Sequence, residues 1–193
     1  MMARRYDPER RTRIIDAAIR IVELKGIAAL SHRSVAAEAG VPLGSTTYHF
    51  AGLDDLLVAA LEQVSGGQGG AMKDWEEALA GSGSGGGKGG TGGRSLADAL
   101  TRLLEEYAHG DRGRIHLEYE LYLAALRRPA LQPVAAAWLD TMVDVIGRHT
   151  EQEATARVLV ALIDGLLLQL LLTDRPFDRA AVRAALARVT GEG

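Results

Sequence analysis

The chain has 193 residues, of which 47% are hydrophobic, and it carries a net charge of −3 and no cysteine. This length can bury one substantial core or a small module beside a larger domain, and the absence of cysteine excludes disulfides and thiolate chemistry. The polar N-terminus does not fit a signal peptide, and the apolar run 158–172 is shorter than the ~20 residues of a membrane span, so we expect a cytoplasmic protein.

Positive charge is concentrated at the start of the chain. Residues 1–50 contain eight Lys or Arg against five acids, a local charge of +3, so the remaining residues carry −6. A basic end on an otherwise acidic protein indicates a face that meets a polyanion. An Arg-rich helix that is merely solvated has the same composition, so the motif next to it decides between the two interpretations.

Three short helices are predicted in this basic region. The first begins near Pro8 and ends before Gly26, with apolar residues at helical spacing. Ser31 can cap the second helix, and Gly40 ends it, because the residue that closes a helix usually adopts positive φ. The third helix covers 42–50 and follows at once. This is a helix-turn-helix pattern, in which the third helix enters the major groove of DNA.

Residues 36–57 read AAEAGVPLGSTTYHFAGLDDLL. The spacing of AGV at 39–41, of the following glycine and of YHF at 48–50 resembles the TetR family of bacterial transcriptional regulators. The close resemblance covers residues 8–65, and the remainder matches only in its helical style. It implies an N-terminal three-helix DNA-binding domain followed by a C-terminal helical domain that binds a ligand and dimerises.

Three positions in and next to the third helix depart from the usual family pattern. Pro42 stands where a serine usually caps the helix, Thr47 where tyrosine is common, and Leu53 opens the next helix where lysine is common. The helix still offers side chains for outward contact, including short hydroxyl residues that suit base edges. The residues expected to contact DNA are Arg33, Leu43, Gly44, Ser45, Thr46, Thr47, Tyr48 and His49.

The middle of the chain changes composition abruptly. A connecting helix is predicted over 53–65, after a DNA-binding domain of residues 1–52. Residues 66–94 are predicted to be a flexible linker, since 13 of the 23 glycines fall within 66–93. Within it only 71–80 has apolar residues at helical spacing and can dock as a short helix.

The remaining residues, 95–193, are predicted to form a helical domain. Five further helices are expected, over residues 95–107, 114–127, 130–149, 151–172 and 178–190. Capping boxes are predicted at Ser95 and at Thr150, and Asp178 is predicted to cap the last helix. No strand pattern occurs anywhere, so the predicted fold class is all-α, with about nine helices.

Large side chains with polar tips occur on several helices of this domain, as a small-molecule pocket requires. The expected ligand contacts are Tyr107, His116, Tyr119, Tyr122, Trp138 and Met142. Each of them alone is more commonly a core or surface aromatic than a ligand contact. His116 and Glu120 lie four apart and could bind a metal, but no third ligand is evident, so we expect no metal and no cofactor.

The apolar helix 151–172 is hydrophobic nearly all round, so one chain has too few partners to cover it. The resemblance implies that it forms a four-helix dimer interface together with the last helix. The expected interface residues are Leu159, Leu162, Ile163, Leu166, Leu170, Val182 and Leu186. An ordinary core within one chain is the alternative.

These patterns predict a one-component transcriptional regulator, most commonly a repressor. We expect it to bind a palindromic double-stranded DNA operator as a homodimer and to be released by a small, mostly apolar ligand. The alternatives are a small helical enzyme, a ligand-binding protein without DNA function, and a helical protein adaptor. An enzyme is disfavoured because the acids and histidines show no paired arrangement with a nucleophile or metal.

Overall fold

The computed structural model describes residues 9–66, 71–80, 82, 95–110, 112–173 and 175–192, and across these ranges it is helical without a strand. The predicted all-α class is therefore confirmed. Two 3₁₀ turns cover Ile27–Ala29 and Pro129–Leu131. The α-helices are α1 (Arg10–Lys25), α2 (His32–Glu38), α3 (Leu43–His49), α4 (Leu53–Gly66), α5 (Ala71–Leu79), α6 (Leu96–His109), α7 (Arg112–Ala124), α8 (Gln132–Gly147), α9 (Glu153–Leu172) and α10 (Arg179–Thr190).

The chain divides into two compact units. The first contains Met1–Ser65 and Gly113–Ala135, and the second contains Gly66–Arg112 and Ala136–Gly193. Helix α7 and the first turn of α8 thus belong with the N-terminal helices. The domains expected from the sequence were continuous stretches of chain, so they did not assign α7 to the first unit. Local periodicity carries no information on long-range packing.

The core of the first unit is built on the apolar face of α1, as the sequence predicts. Leu56 and Leu57 of α4 and Leu117 and Leu121 of α7 are buried in the same cluster as that face. Each fully buried leucine contributes roughly 1.5–3 kcal/mol relative to an exposed one. The buried residues of α1 are Ile14, Ile15, Ala17, Ala18, Ile21 and Val22.

Glycines and a serine fix the boundaries of the first helices. Gly26 closes α1 with φ of +77° and Gly40 follows α2 with φ of +63°, as their predicted roles require. Ser31 caps α2 by accepting a hydrogen bond from the backbone N–H of Ser34 at 3.0 Å. The predicted start of α1 at Pro8 lies outside the described residues.

In the second unit, α6 packs against α5, α9 and α10. The Arg183 side chain donates to Asp98 at 2.5 Å, and this hydrogen bond holds the pKa of the Asp98 carboxyl below its ordinary value. Arg179, about one turn before Arg183 on α10, pairs with Glu105, about two turns after Asp98 on α6. The carboxylate of Glu192 accepts hydrogen bonds from backbone N–H groups of the first turn of α6 at 3.1 Å. The end of the chain therefore caps a helix that begins 96 residues earlier.

Of the three caps predicted between residues 95 and 193, Ser95 and Asp178 are confirmed as N-cap residues and the cap at Thr150 is wrong. Ser95 accepts from the backbone of α6, and Asp178 accepts from the N–H of Ala181 at 3.0 Å. The N-cap of α9 is Gln152, without a side-chain hydrogen bond, because the Thr150 hydroxyl donates to carbonyl oxygens in the preceding turn and at Gln152 instead. The predicted short helix at 71–80 is α5, whereas most of the predicted flexible linker lies outside the described residues.

Candidate nucleic-acid interface and effector site

Helices α2 and α3 form a tight helix-turn-helix. The N–H of Val41 donates to the carbonyl of Ala36 at 3.0 Å, so the turn closes directly after Gly40. Pro42 precedes α3 and offers no side-chain cap, but its carbonyl accepts from the N–H of Ser45 at 2.8 Å. Helix α3 is held by backbone bonds at its start and by α1 and α2, against which it packs.

The exposed face of α3 differs in part from the predicted one. Tyr48 is 83% exposed, Leu43 is 47% exposed, and Gly44 and Thr47 are exposed as well. Ser45 and Thr46 are 4% and 0% exposed, so the expectation that their side chains face outward is wrong.

The burial of Ser45 and Thr46 has a geometric cause. Helix α3 has seven residues and therefore only two turns. The side of it that faces α1 and α2 includes the two adjacent residues in its middle. The Thr46 hydroxyl donates to the carbonyl of Leu43 at 2.8 Å, which satisfies it inside the protein. Phe50 is buried next to these positions.

The tip of α3 carries an aromatic pair. The rings of Tyr48 and His49 meet edge to face with centroids 5.1 Å apart, and His49 is half-buried while Tyr48 projects into solvent. The phenol hydroxyl can donate to a phosphate oxygen, and the ring body can pack on a sugar or base edge. Arg33 is exposed on α2 and supplies charge to the same helix pair.

Arg11 of α1 lies beside this interface, although it was not among the predicted DNA contacts. Its guanidinium carbon lies 5.2 Å from the centroid of the Phe50 ring, directly beside the end of α3. Arg20, by contrast, pairs with Glu38 at 2.9 Å and is neutralised there. The signal that could have identified Arg11 is its position on the exposed side of α1, opposite the apolar stripe.

The six predicted ligand contacts divide between the two units. In the second unit the indole N–H of Trp75 donates to the Tyr107 hydroxyl at 3.2 Å. Trp138 is half-buried there and Met142 is buried. The buried Trp75, on the short helix α5, was not among the predicted contacts, although its helical spacing in a glycine-rich segment marked it as a docking residue.

In the first unit the predicted contacts lie on α7. Tyr119 and Tyr122 are half-buried, and their rings pack in a T-shaped arrangement with centroids 6.3 Å apart. His116 is exposed and takes no part in this pair. No group of three or more potential metal ligands occurs within the described ranges, and the Glu120 carboxylate accepts a backbone hydrogen bond instead of pairing with His116.

A cavity that the sequence did not indicate lies within the second unit. It has a volume of about 340 Å³ and is lined by α6, α9, α10 and the segment between the last two helices. Its lining includes Leu166, Leu170 and Val182, three residues predicted for the dimer interface. Phe177 also lines it and meets the ring of His109 edge to face at 6.3 Å.

Helix α9 has a buried and an exposed apolar side. Only 28% of its most apolar 18-residue stretch is buried. By length and composition α9 could also cross a membrane, but one such helix is weak evidence for a membrane span. Val158 is 53% exposed and Leu162 is half-buried.

Four predicted interface residues, Leu159, Ile163, Val182 and Leu186, are buried within the chain itself, with at most 7% of their surface exposed. They face inward because α6, α9 and α10 pack on one another. The dimer interface itself stays a prediction, and these buried residues do not belong to the accessible surface of α9 and α10.

Two family models match the chain. The one described as "Bacterial regulatory proteins, tetR family" matches residues 14–60, and the one described as "Tetracyclin repressor-like, C-terminal domain" matches residues 91–192. A curated relative, the uncharacterized HTH-type transcriptional regulator YerO of Bacillus subtilis, is 38% identical over 73 residues. That match covers 38% of this chain and only 25% of the relative.

Solved structures match over nearly the whole length. The multidrug binding protein EbrR complexed with imidazole is 54% identical, covers 95% of this chain and 96% of its own, and has a TM-score of 0.81. EbrR complexed with ethidium is 51% identical over 94% of this chain and 99% of its own, with a TM-score of 0.78. The regulator SCO7518 from Streptomyces coelicolor A3(2) is 34% identical over 95% and 99% of the two chains, with a TM-score of 0.83.

Proposed function

The chain belongs to the TetR family of bacterial regulatory proteins, whose members are non-enzymatic DNA-binding transcriptional regulators, and from this premise we propose that it is a homodimeric repressor released from its operator by an aromatic cation. The observation that carries the proposal is the outward face of α3. Tyr48 is 83% exposed at the tip of a helix-turn-helix, so its hydroxyl and ring are accessible to contact DNA. Its place of action is the cytoplasm, where the operator lies.

The DNA contacts fall into two classes. Arg11 and Arg33 supply charge for phosphates, which gives affinity without sequence preference. Thr47, Tyr48 and the apolar Leu43 are the exposed side chains of α3 that can reach base edges in a major groove. His49 is half-buried and supports Tyr48 through the ring contact.

Two features support a homodimer. A single helix-turn-helix contacts one half-site, and a palindromic operator is matched by a twofold axis in the protein. Helix α9 exposes an apolar side, including Val158, that a second copy of the chain can cover. The interface residues that we propose are therefore the accessible ones of α9, with Leu162, Leu166 and Leu170 at the edge, rather than those buried in the protomer.

The effector class follows from chemistry and from the relatives. EbrR has been solved with ethidium, malachite green and proflavin, all of which are planar or propeller-shaped aromatic cations. This chain offers two aromatic pairs, Trp75 with Tyr107 and Tyr119 with Tyr122, and residues 51–193 carry a net charge of −6. Aromatic rings attract cations through their faces, and an acidic surround strengthens the attraction.

The test begins with the DNA fragments that the purified protein selects from its source genome. Binding to a selected fragment, measured by fluorescence anisotropy, should weaken steeply with salt, as phosphate contacts demand. Ethidium fluorescence should rise on titration with protein in the absence of DNA. A protein that selects no fragments above a scrambled control is not a repressor, and one that binds DNA but no aromatic cation has a different effector.

A further inference from the structure

The side chain of Glu120 on α7 reaches back to the end of α1. Its Oε1 accepts a hydrogen bond from the backbone N–H of Ile27 at 2.6 Å, across 93 positions of the sequence, and the contact is partly buried. Ile27 opens the 3₁₀ turn after α1, where the first N–H groups have no acceptor within the turn itself. A charged carboxylate is the strongest acceptor a side chain can offer to such a group.

Gly26 is shaped for this approach. Its φ is +77°, and a Cβ built on it would lie 3.2 Å from Glu120 Oε1. A side chain there would be strained by the backbone and would also push against the carboxylate. The glycine that ends α1 therefore also admits the carboxylate from α7.

Helix α7 is joined to the DNA-binding helices at further points. Leu117 and Leu121 are buried in the cluster formed around α1 and α4. Beyond the end of α7, Arg128 pairs with Asp54 in the first turn of α4. The apolar contacts are non-directional and tolerate sliding, whereas the hydrogen bond at Ile27 fixes the position of α7 against the end of α1.

We propose that Glu120 is a positioning residue that couples α7 to the DNA-binding helices, so that a shift of α7 reaches α3 through α1. This rests on the proposed function, because the shift would come from the effector at the tyrosine pair of α7. Glu120 lies between Tyr119 and Tyr122 in sequence, and α1 packs directly on α3. Because coupling between sites is reciprocal, operator binding should in turn act on α7, and the Glu120 contact is the proposed route.

Four full-length variants separate this coupling from general stability. Glu120→Ala removes the acceptor, and Glu120→Gln keeps an oxygen in place and should rescue the coupling. Glu120→Asp keeps the charge, but its shorter side chain places the carboxylate farther from the N–H of Ile27. It is used in place of Glu120→Ala if the alanine variant does not fold. Glu62→Ala makes the same chemical change at an exposed position of α4 in the same unit and serves as the matched control.

The first measurement needs no effector. Hydrogen exchange of the peptide covering 113–124 is followed by mass spectrometry with and without selected operator DNA. Operator should slow this exchange in wild type, Glu120→Gln and Glu62→Ala, and should leave it unchanged in Glu120→Ala. The alanine variant should bind operator within about threefold of wild type. If operator slows hydrogen exchange in Glu120→Ala as much as in wild type, the proposal is overturned. A folded Glu120→Ala variant that binds operator more than tenfold more weakly also overturns it, because Glu120 would then be a structural residue of the DNA-binding helices.

The second measurement uses tetraphenylphosphonium, an aromatic cation too bulky to intercalate into DNA. In wild type the ratio of operator Kd with and without this cation should lie at about 5- to 150-fold, the usual range of allosteric coupling. In Glu120→Ala the ratio should fall towards one while the Kd for the cation stays within twofold; an unchanged ratio overturns the proposal. A wild-type protein that ignores the cation refutes the proposed effector class, and the exchange measurement then still decides on Glu120.

Discussion

Among single residues, the contrast between Tyr48 and Thr46 shows how function and folding separate within one short helix. Tyr48 is exposed, and its ring meets the neighbouring His49 ring edge to face. Thr46 is buried and its hydroxyl is bonded within α3. Replacement of the first should therefore act on DNA binding, and replacement of the second on stability.

Tyr48→Ala should weaken operator binding about tenfold, which corresponds to one hydrogen bond of about 1.4 kcal/mol lost at the interface. Its free energy of unfolding should change by less than about 0.5 kcal/mol, as is usual for exposed positions. Anisotropy titration and urea unfolding measure the two effects. Thr46→Ala is the comparison, and it should lower the unfolding free energy by about 1 kcal/mol or more through a cavity and a lost internal hydrogen bond. Equal operator affinity of wild type and Tyr48→Ala would remove Tyr48 from the interface.

The ion pair between Asp98 and Arg183 gives a pH dependence with a definite sign. The hydrogen bond from Arg183 lowers the pKa of Asp98 in the folded protein, so the pair stabilises the fold above the ordinary value of 3.8. The contribution is lost as the pH falls through the depressed folded-state pKa. Both side chains are more than 40% exposed, so the effect is small and screened by salt.

Asp98→Asn tests this linkage. The variant should unfold at a slightly lower temperature than wild type at pH 7, and the difference should shrink as the pH is lowered below 3.8 and in high salt. Calorimetry at a fixed protein concentration across pH 3 to 7 measures it. A gap that widens in acid would mean that the carboxylate is not stabilised by Arg183.

At the scale of elements, the sequence predicted what local periodicity and caps determine. The apolar stripe of α1, the glycines that end α1 and α2, and the cap at Asp178 were all predictable from neighbouring residues. Seven-residue α3 was located correctly, but two turns of small polar residues give no periodic signal to separate its buried from its exposed side.

Contacts that span the sequence could not be predicted in this way. Glu192 caps α6 and Glu120 meets Ile27, each from more than 90 positions away, and no local pattern links such residues. For the same reason, an apolar helix such as α9 predicts burial on many sides without showing which leucines face the protomer and which face a partner. The cavity beside Phe177 likewise depends on how α9 and α10 cross.

Helix α9 carries the prediction on assembly. Val158 and Ala161 are exposed in the protomer, so arginine at both positions should leave the protomer folded. If a second copy covers this side, two unpaired charges per chain would be buried, at a cost of several kcal/mol. The double variant should therefore sediment as a monomer, whereas wild type should sediment as a dimer. Leu126→Arg, at a 79% exposed position on the segment after α7, is the matched control and should remain dimeric. A soluble dimer of the double variant would place the interface elsewhere.

For the whole molecule, effector and operator must influence each other equally if a single equilibrium connects them. A cation can shift the protein away from the operator only by binding the released arrangement more tightly. A coupling of about 1 to 3 kcal/mol then weakens operator binding about 5- to 150-fold, and operator must weaken cation binding by the same factor. Calorimetric titration of tetraphenylphosphonium into the free protein and into the protein–operator complex measures that factor directly. The monomeric α9 variant provides the control, because one recognition helix holds a half-site weakly and its cation affinity should hardly respond to DNA. Equal cation affinities for free and operator-bound wild type would exclude release by this effector and leave a DNA-binding regulator that does not respond to aromatic cations.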